Sequence, residues 1–213
     1  ERILRHVPAL RRLRLSSLDG IEIDDRLFAW LTPGARVMPH VHLSLQAGDD
    51  MILKRMKRRH SRAESVALVE RLKAARPDIA IGADLIAGFP TESEAMFANS
   101  LALIADCDLV HTHIFPYSPR EGTPAARMPQ VSRRTAKERA ARLRIFGDAQ
   151  YARFCESRVG AIETVLVERD GLGRTEQFVP IAVPGHGPGE IVAVRVTGTS
   201  PDGLVGESLR TAA

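Results

Sequence analysis

Polar side chains gather at the carboxyl ends of the predicted strands, the edge at which parallel α/β barrels carry their chemistry. In "GADLIAGFPTESE", Asp84 stands within an apolar, strand-like run, where an unpaired carboxylate would be costly to bury. Gly88 permits the close approach of a backbone or a flat ring, and the following turn leads into a helix start that suits an anion or a ribose. The alternative is a strand-turn-helix in which a neighbouring cation satisfies Asp84. Other strand ends contribute Ser16, Ser17, Asp19, Ser44, Gln46 and Glu92.

The segment "HIFPYSPREGTPAARM" (113–128) begins like a buried strand and then breaks. Pro116, Pro119 and Pro124 cannot donate ladder hydrogen bonds, so strand pairing should stop there. The residues that follow, among them Tyr117 and Arg120, carry too much side-chain chemistry for a spacer. A structured loop at a strand end is therefore predicted.

Four histidines raise the question of a metal site. His40 and His42, like His111 and His113, are spaced by two and so share a strand face. We expect satisfied barrel histidines, because no carboxylate or cysteine completes a ligand set nearby in the sequence.

The two cysteines, Cys107 and Cys155, are 48 positions apart and form neither a disulfide framework nor a metal knuckle. They are expected to be small core residues in a reducing cytoplasm. No metal site is predicted in this chain.

Alternating strands and helices must position these groups. The strands are predicted at 12–18, 41–48, 79–89 and 109–117, and the helices between them include two with expected capping boxes, Ser61/Glu64 and Thr91/Glu94. Near-continuous apolar strands imply a parallel sheet with right-handed crossovers. The predicted fold class is α/β, the distal part of a (β/α) barrel, with a doubly wound sheet as the alternative.

A long helix is predicted from Ser132 to Arg158, with an apolar seam formed by Ala136, Ala140, Leu143, Phe146 and Ala149. Beyond it, short β-rich pieces separated by glycine and proline predict a small all-β barrel. The predicted organisation is a partial barrel at 1–131, the helix at 132–158 and the β-barrel at 159–213.

Composition limits the function classes. The 213 residues, 44% of them hydrophobic, describe a globular protein, and no apolar run approaches the roughly 18 residues that span a bilayer. The net charge of +4 is uneven: residues 132–158 hold eight basic and three acidic side chains, whereas the tail from Val159 holds four and seven. An anionic partner should therefore bind the first 160 or so residues. Because the chain begins at Glu1 in what reads as mid-helix, we expect it to be a piece of a longer protein.

Three motifs, in this order and spacing, closely resemble the radical-SAM tRNA methylthiotransferases. They are "HLSLQAGDDMILKRMKRRHSR", "IGADLIAGFPTESEAMF" and "HIFPYSPREGTPAARM", and the last favours the MtaB branch, which acts on N6-threonylcarbamoyladenosine beside the anticodon. The resemblance covers nearly the whole chain, and the β-rich tail resembles a TRAM domain. This implies a radical-SAM barrel, tRNA as partner, S-adenosylmethionine as cofactor and two [4Fe–4S] clusters in the intact protein. The cluster ligands are absent here, so the chain alone should be inactive.

The resemblance also assigns residues. Gln46 corresponds to a ribose-side position, the run 84–92 with Gly88 and Glu92 to an adenine-contacting motif, and 114–118, which includes Tyr117, to the strand that borders the adenine. The predicted cofactor-binding residues are Ser16, Gln46, Asp84, Gly88, Glu92 and Tyr117. The predicted RNA-binding residues are Arg58, Arg59, Arg120, Arg133 and Lys137. The alternatives are a non-catalytic RNA-binding module and a radical-SAM enzyme of the same class acting on isopentenyladenosine in tRNA or on a ribosomal protein.

Overall fold

The computed structural model describes residues 1–32 and 36–209. The helices are α1 (Arg2–His6), α2 (Asp25–Leu31), α3 (Asp50–Arg55), α4 (Arg62–Ala75), α5 (Glu94–Asp106) and α6 (Arg133–Ser157). The strands are β1 (His40–Gln46), β2 (Ala80–Ala87), β3 (Leu109–Pro116), β4 (Ile162–Arg169), β5 (Leu172–Arg174), β6 (Pro180–Ala182), β7 (Ile191–Ser200) and β8 (Gly203–Ser208).

The first three strands form a parallel sheet in the order β1-β2-β3. Since side chains alternate along a strand, each strand presents one face to the helices and one away from them. Val41, Leu43, Ile81, Ala83 and Leu85 face the helices and are buried in the main apolar core. The opposite face carries polar side chains. The predicted α/β fold with a parallel sheet is confirmed.

The strand predicted at 12–18 was wrong. This segment makes only two isolated parallel bridges, Leu13 to Val37 and Leu18 to Leu43. Ser17 has a φ of 54°, which interrupts an extended run. The apolar alternation that suggested a strand is real, since Leu13, Leu15 and Leu18 pack against the core.

One of the two predicted capping boxes forms and the other does not. Asp49 caps α3, and Ser61 with Glu64 forms the predicted capping box of α4. The predicted Thr91/Glu94 box was wrong, because Ser93 caps α5 by accepting from the Met96 N–H. Thr91 lies in the preceding turn with a φ of 66°. Both residues have hydroxyl side chains, and the local sequence alone did not separate them.

The seam of α6 also differs from the prediction. Ala136, Ala140 and Leu143 are buried as expected, but Phe146 is 52% exposed and Ala149 is exposed. The buried line continues through Gly147 and Gln150 instead. A Cβ on Gly147 would lie 2.2 Å from Oγ1 of Thr112, so glycine lets the helix lie directly on β3.

The remaining strands close into a barrel in the order β4-β5-β6-β8-β7, which confirms the predicted all-β unit. Its core contains Val165, Val179, Ile181, Val194 and Leu204. The residue boundaries predicted for the three parts of the chain stay a prediction.

Arginines near the amino end attach this barrel to the sheet. Arg12 donates to the carbonyl of Thr164 at 2.9 Å, and Arg14 donates to the carbonyls of Thr175 and Glu176 at 2.7 and 2.8 Å. Burial lowers the pKa of Arg14 to about 10, which leaves it charged at neutral pH. Charged guanidinium groups that donate to main-chain carbonyls therefore join the β-barrel to the segment before the sheet.

No helix within residues 1–32 and 36–209 is both long enough and apolar enough to cross a bilayer.

Candidate functional site

Two adjoining cavities open at the carboxyl ends of the parallel strands. One, of about 450 Å³, lies between Gln46 and Phe89. The other, of about 460 Å³, is lined by Phe115, Tyr117 and other residues of the following loop. Both are lined by Ile86, Thr123 and Ala125. We call them the strand-end cavities, and their position agrees with the general rule for parallel α/β proteins.

Gln46 ends β1 and lines the first cavity with an unusual backbone. Its φ is 67°, a left-handed conformation that costs a non-glycine residue free energy. The β1–β2 register shifts between Leu43 and Gln46. This local irregularity places Gln46 at the cavity wall.

Arg55 is a cavity residue that the sequence reasoning missed. It lines the same cavity as Gln46, and its Nη1 is buried without a hydrogen-bond partner among the described residues. A buried, unpaired guanidinium nitrogen favours a ligand that brings an acceptor. The available sequence signal was the basic run "KRMKRR", but only Arg58 and Arg59 of this run were predicted to bind a ligand.

The aromatic side of the cavities comes from Phe89 and Tyr117. Their rings meet edge to face with centroids 5.1 Å apart. Pro116 remains in register with Ala87, and the Tyr117 N–H donates to the Ala87 carbonyl at 2.8 Å, so pairing with β2 continues past Pro116. Tyr117 is thereby fixed in the wall of a strand-end cavity. Its contact with a cofactor stays a prediction.

Glu92 and Gly88 both contact helix α6. The Glu92 carboxylate accepts from the Gly88 N–H at 2.8 Å and from Arg139 on α6 at 2.9 Å. The side chains of Glu92 and Arg139 are 1% and 8% exposed. Burial raises the pKa of Glu92, while the Gly88 N–H and Arg139 oppose that rise. Gly88 has a φ of 73°, and a Cβ there would lie 2.4 Å from the Cβ of Ala136.

These contacts show that both residues hold α6 against the end of β2. Their contact with a cofactor stays a prediction.

Ser16 and Asp84 do not line the strand-end cavities, although Asp84 is next to Leu85, the register partner of Gln46. Ser16 lines a separate cavity of about 390 Å³ beside the four histidines. Asp84 faces His42 and His113, whose ring nitrogens Nε2 and Nδ1 lie 3.0 and 3.2 Å from its Oδ1. We call these three residues the His-Asp-His cluster.

The expectation that no carboxylate accompanies the histidines was therefore wrong. Asp84 is distant in sequence but adjacent in the sheet, and two imidazoles, not a lysine or an arginine, satisfy it. The other two histidines are His40 and His111. Burial lowers the pKa of His40 to about 3 and that of His111 to about 4, so both are neutral at pH 7.

Four of the five predicted RNA-binding residues are exposed: Arg59, Arg120, Arg133 and Lys137. None of the four forms a salt bridge within the part of the chain that the structure describes. Arg120 lines a strand-end cavity. Arg58 differs, because it donates to Asp19 at 3.1 Å and to the Ser44 carbonyl at 2.8 Å. The guanidinium of Arg58 is therefore already paired within the protein.

The chain is similar to known proteins. The model of the Radical SAM superfamily matches residues 12–104, which include β1, β2 and Gln46. A threonylcarbamoyladenosine tRNA methylthiotransferase MtaB from Rickettsia prowazekii is 51% identical over 181 residues, which cover 85% of this chain and 43% of that protein. Over most of its length the chain is similar to MtaB-like radical SAM proteins. A tRNA-2-methylthio-N(6)-dimethylallyladenosine synthase from Erythrobacter litoralis is 36% identical over 97% of this chain and 48% of that protein.

The chain thus spans about half the length of the curated relatives that it matches. A crystal structure of a radical SAM methyltransferase from Sphaerobacter thermophilus has a TM-score of 0.42 and 21% identity, covering 66% of this chain and 38% of that one. At that similarity it supports no argument about this MtaB-like chain.

The family implies an iron–sulfur cluster, and the cysteines present do not fit one. Cys107 is buried in the core of the sheet and Cys155 in that of the β-barrel. Burial raises the pKa of the Cys107 thiol to about 12, whereas cluster ligands are thiolates.

We expect the 213-residue chain to take up no [4Fe–4S] cluster, because its two thiols are enclosed in different cores. The measurement is anaerobic reconstitution with iron and sulfide, followed by iron analysis and visible absorbance after desalting. A Cys107→Ala, Cys155→Ala double variant is the control, and both proteins should be equally colourless. Stoichiometric iron uptake that this variant loses would contradict the expectation.

Proposed function

We propose that this chain is part of a tRNA methylthiotransferase that adds a methylthio group to C2 of N6-threonylcarbamoyladenosine. The observation that carries the proposal is the 51% identity to a protein of that name over 85% of the chain. S-adenosylmethionine, tRNA and the cytoplasm are the cofactor, partner and compartment that it entails.

The strand-end cavities support S-adenosylmethionine as a ligand. The Gln46 side chain can hydrogen-bond ribose hydroxyls, and the unpaired Nη1 of Arg55 can donate to a ligand oxygen. Ile86, Phe89 and Tyr117 offer an apolar wall for a flat base. When bound, S-adenosylmethionine supplies a methyl group and, on reductive cleavage, a deoxyadenosyl radical.

The loop after β3 connects these cavities with the proposed substrate. Thr123 and Ala125 line both cavities, and Thr123 Oγ1 donates to the Arg120 carbonyl at 2.7 Å, which closes the loop on itself. Arg120 is exposed at its edge and can meet a phosphate of a bound RNA. In this proposal the loop extends from the cofactor toward the RNA.

A second candidate reaction follows from the other relative. The dimethylallyladenosine-modifying protein is 36% identical over nearly the whole chain, so an adenosine with that side group is the competing substrate. The two differ in the polarity of the N6 substituent, which is charged in one and apolar in the other. A non-catalytic RNA-binding module is the remaining alternative.

Deleting the gene should remove 2-methylthio-N6-threonylcarbamoyladenosine from bulk tRNA and leave N6-threonylcarbamoyladenosine in its place. Mass spectrometry of digested tRNA measures both nucleosides. Loss of the methylthio group from dimethylallyladenosine instead would establish the second candidate, and unchanged nucleosides would contradict both.

Complementation then tests the cavity. The gene carrying Gln46→Gly should restore less of the modification than the wild type, because the amide is lost while glycine accepts the φ of 67° without strain. Asp108→Gly is the matched control, since Asp108 also has a positive φ (43°) but pairs with Lys73. It should restore full modification.

A further inference from the structure

We propose that the His-Asp-His cluster, His42, Asp84 and His113, binds one divalent transition-metal ion of the Zn²⁺ class. Two imidazole nitrogens and one carboxylate oxygen form a ligand set that suits zinc and its neighbours in the first transition series. This site contains no thiolate and is separate from any iron–sulfur chemistry. It does not depend on the proposed function.

The three ligands come from three adjacent strands. His113 on β3 is the register partner of Asp84 on β2, and His42 on β1 pairs with Gly82, two positions before Asp84. All three side chains therefore project from the same sheet face. Ligands on rigid, hydrogen-bonded strands are held more firmly than ligands on loops.

The distances approach those of a tetrahedral site. With bonds of about 2.0–2.1 Å, two ligands of a tetrahedral zinc lie about 3.4 Å apart. Here two of the three separations are 3.0 and 3.2 Å, and all three ligand atoms lie within 4.8 Å of one another. Small rotations about the side-chain bonds would admit an ion at the centre. Without an ion, the same separations allow hydrogen bonds between the three side chains.

Gly82 gives an independent sign that the cluster is shaped for an imidazole. A Cβ at Gly82 would lie 2.4 Å from Nδ1 of His42 and 3.2 Å from the Cβ of His111. Glycine weakens a strand interior, so its presence here has a cost that close packing of the ring explains. The ring of His42 also lies 4.5 Å from that of His113, centroid to centroid. Gly82 on β2 therefore leaves room for the ring of His42.

The cluster leaves a coordination position open. His42 and His113 line the cavity of about 390 Å³ that also holds Ser16, Ser17 and Tyr151. A metal with three protein ligands facing a cavity has a fourth position for water or a substrate atom, as in catalytic zinc sites. Ile86, which lines both strand-end cavities, is two residues after Asp84 on the same face of β2. The site therefore lies about 7 Å along β2 from these cavities.

Titration of the untagged 213-residue chain with Co²⁺ tests the proposal. After treatment with chelator, one equivalent should bind and give the intense visible bands of a four-coordinate ion, which Zn²⁺ should then displace. Calorimetry with Zn²⁺ should report the same stoichiometry. Absence of saturable binding, or cobalt bands only of the weak octahedral kind, would overturn the proposal and leave a hydrogen-bonded triad.

Variants place the ion on the cluster. His113→Gln should weaken binding at least about 100-fold, since even changes to groups behind a metal ligand cost about 10–100-fold. The His113 side chain is 63% exposed, so this variant should keep its fold, which far-UV circular dichroism checks. Asp84→Asn should act likewise. His186→Gln, which removes a histidine paired with Glu190 on the β-barrel unit, should bind as the wild type does. Equal affinity in His113→Gln and wild type would overturn the assignment.

Discussion

Replacing Glu92 with alanine should lower the free energy of unfolding by about 3–5 kcal/mol, the usual loss when one partner of a buried ion pair is removed. The loss has two origins. The Gly88 N–H and the guanidinium of Arg139 lose their acceptor, and Arg139, 8% exposed, keeps a buried charge opposite a void. Arg139 would retain its bond to the Glu92 carbonyl and its contact with Glu94, which keeps the loss below that of an isolated charge. Urea unfolding followed by circular dichroism measures the change.

The matched control is an exposed ion pair on the same helix. Glu138→Ala breaks the pair with Arg134, whose side chains are 57% and 88% exposed, and should cost no more than about 0.5 kcal/mol. If both variants lost the same small amount, the buried pair would not be what fixes α6 to the end of β2.

Replacing Gly88 with alanine should be nearly as damaging, for a steric reason. The added Cβ would lie 2.4 Å from the Cβ and 2.7 Å from the Cα of Ala136, so α6 must move. Overpacking of about 1–3 kcal/mol adds to about 1–2 kcal/mol for a left-handed backbone at φ 73°, giving about 2–5 kcal/mol in total. The same urea experiment measures it.

Gly122→Ala separates these two contributions. Gly122 has a φ of 82°, but a Cβ there meets nothing within 4 Å, so only the backbone cost of about 1–2 kcal/mol should appear. Adding Ala136→Gly to Gly88→Ala should recover part of the steric loss, judged against Ala136→Gly alone. Equal losses for Gly88→Ala and Gly122→Ala would show that α6 does not press on Gly88.

Local features of the fold were predictable because their causes lie within a few residues. The Ser61/Glu64 capping box and the apolar parallel strands depend on neighbours in the sequence, and the structure contains both. Errors arose where the sequence offered equivalent local choices, as between Thr91 and Ser93. The prediction that Phe146 belongs to the buried seam of α6 was wrong for a different reason. Gly147 is the residue that faces β3 at this point, because the helix lies too close to Thr112 for a side chain.

The site was predictable in place but only partly in composition. Strand-end position indicated Gln46, and the family resemblance indicated Tyr117; both line the strand-end cavities. The pairings that matter most join residues far apart in the chain: Glu92 with Arg139 at a separation of 47, and His42 with Asp84 at 42. These depend on strand register and helix packing, which no local pattern specifies.

The arginine joint between the sheet and the β-barrel has a consequence for evolution and for engineering. Arg12 and Arg14 bind the carbonyls of Thr164, Thr175 and Glu176, and every residue type supplies a carbonyl. Side chains of the β-barrel can therefore drift through many substitutions without losing these bonds, provided that the path of its backbone is kept. A barrel transplanted from a distant homologue should dock onto the same two arginines, whereas changing the arginines would remove these bonds for any barrel, native or foreign.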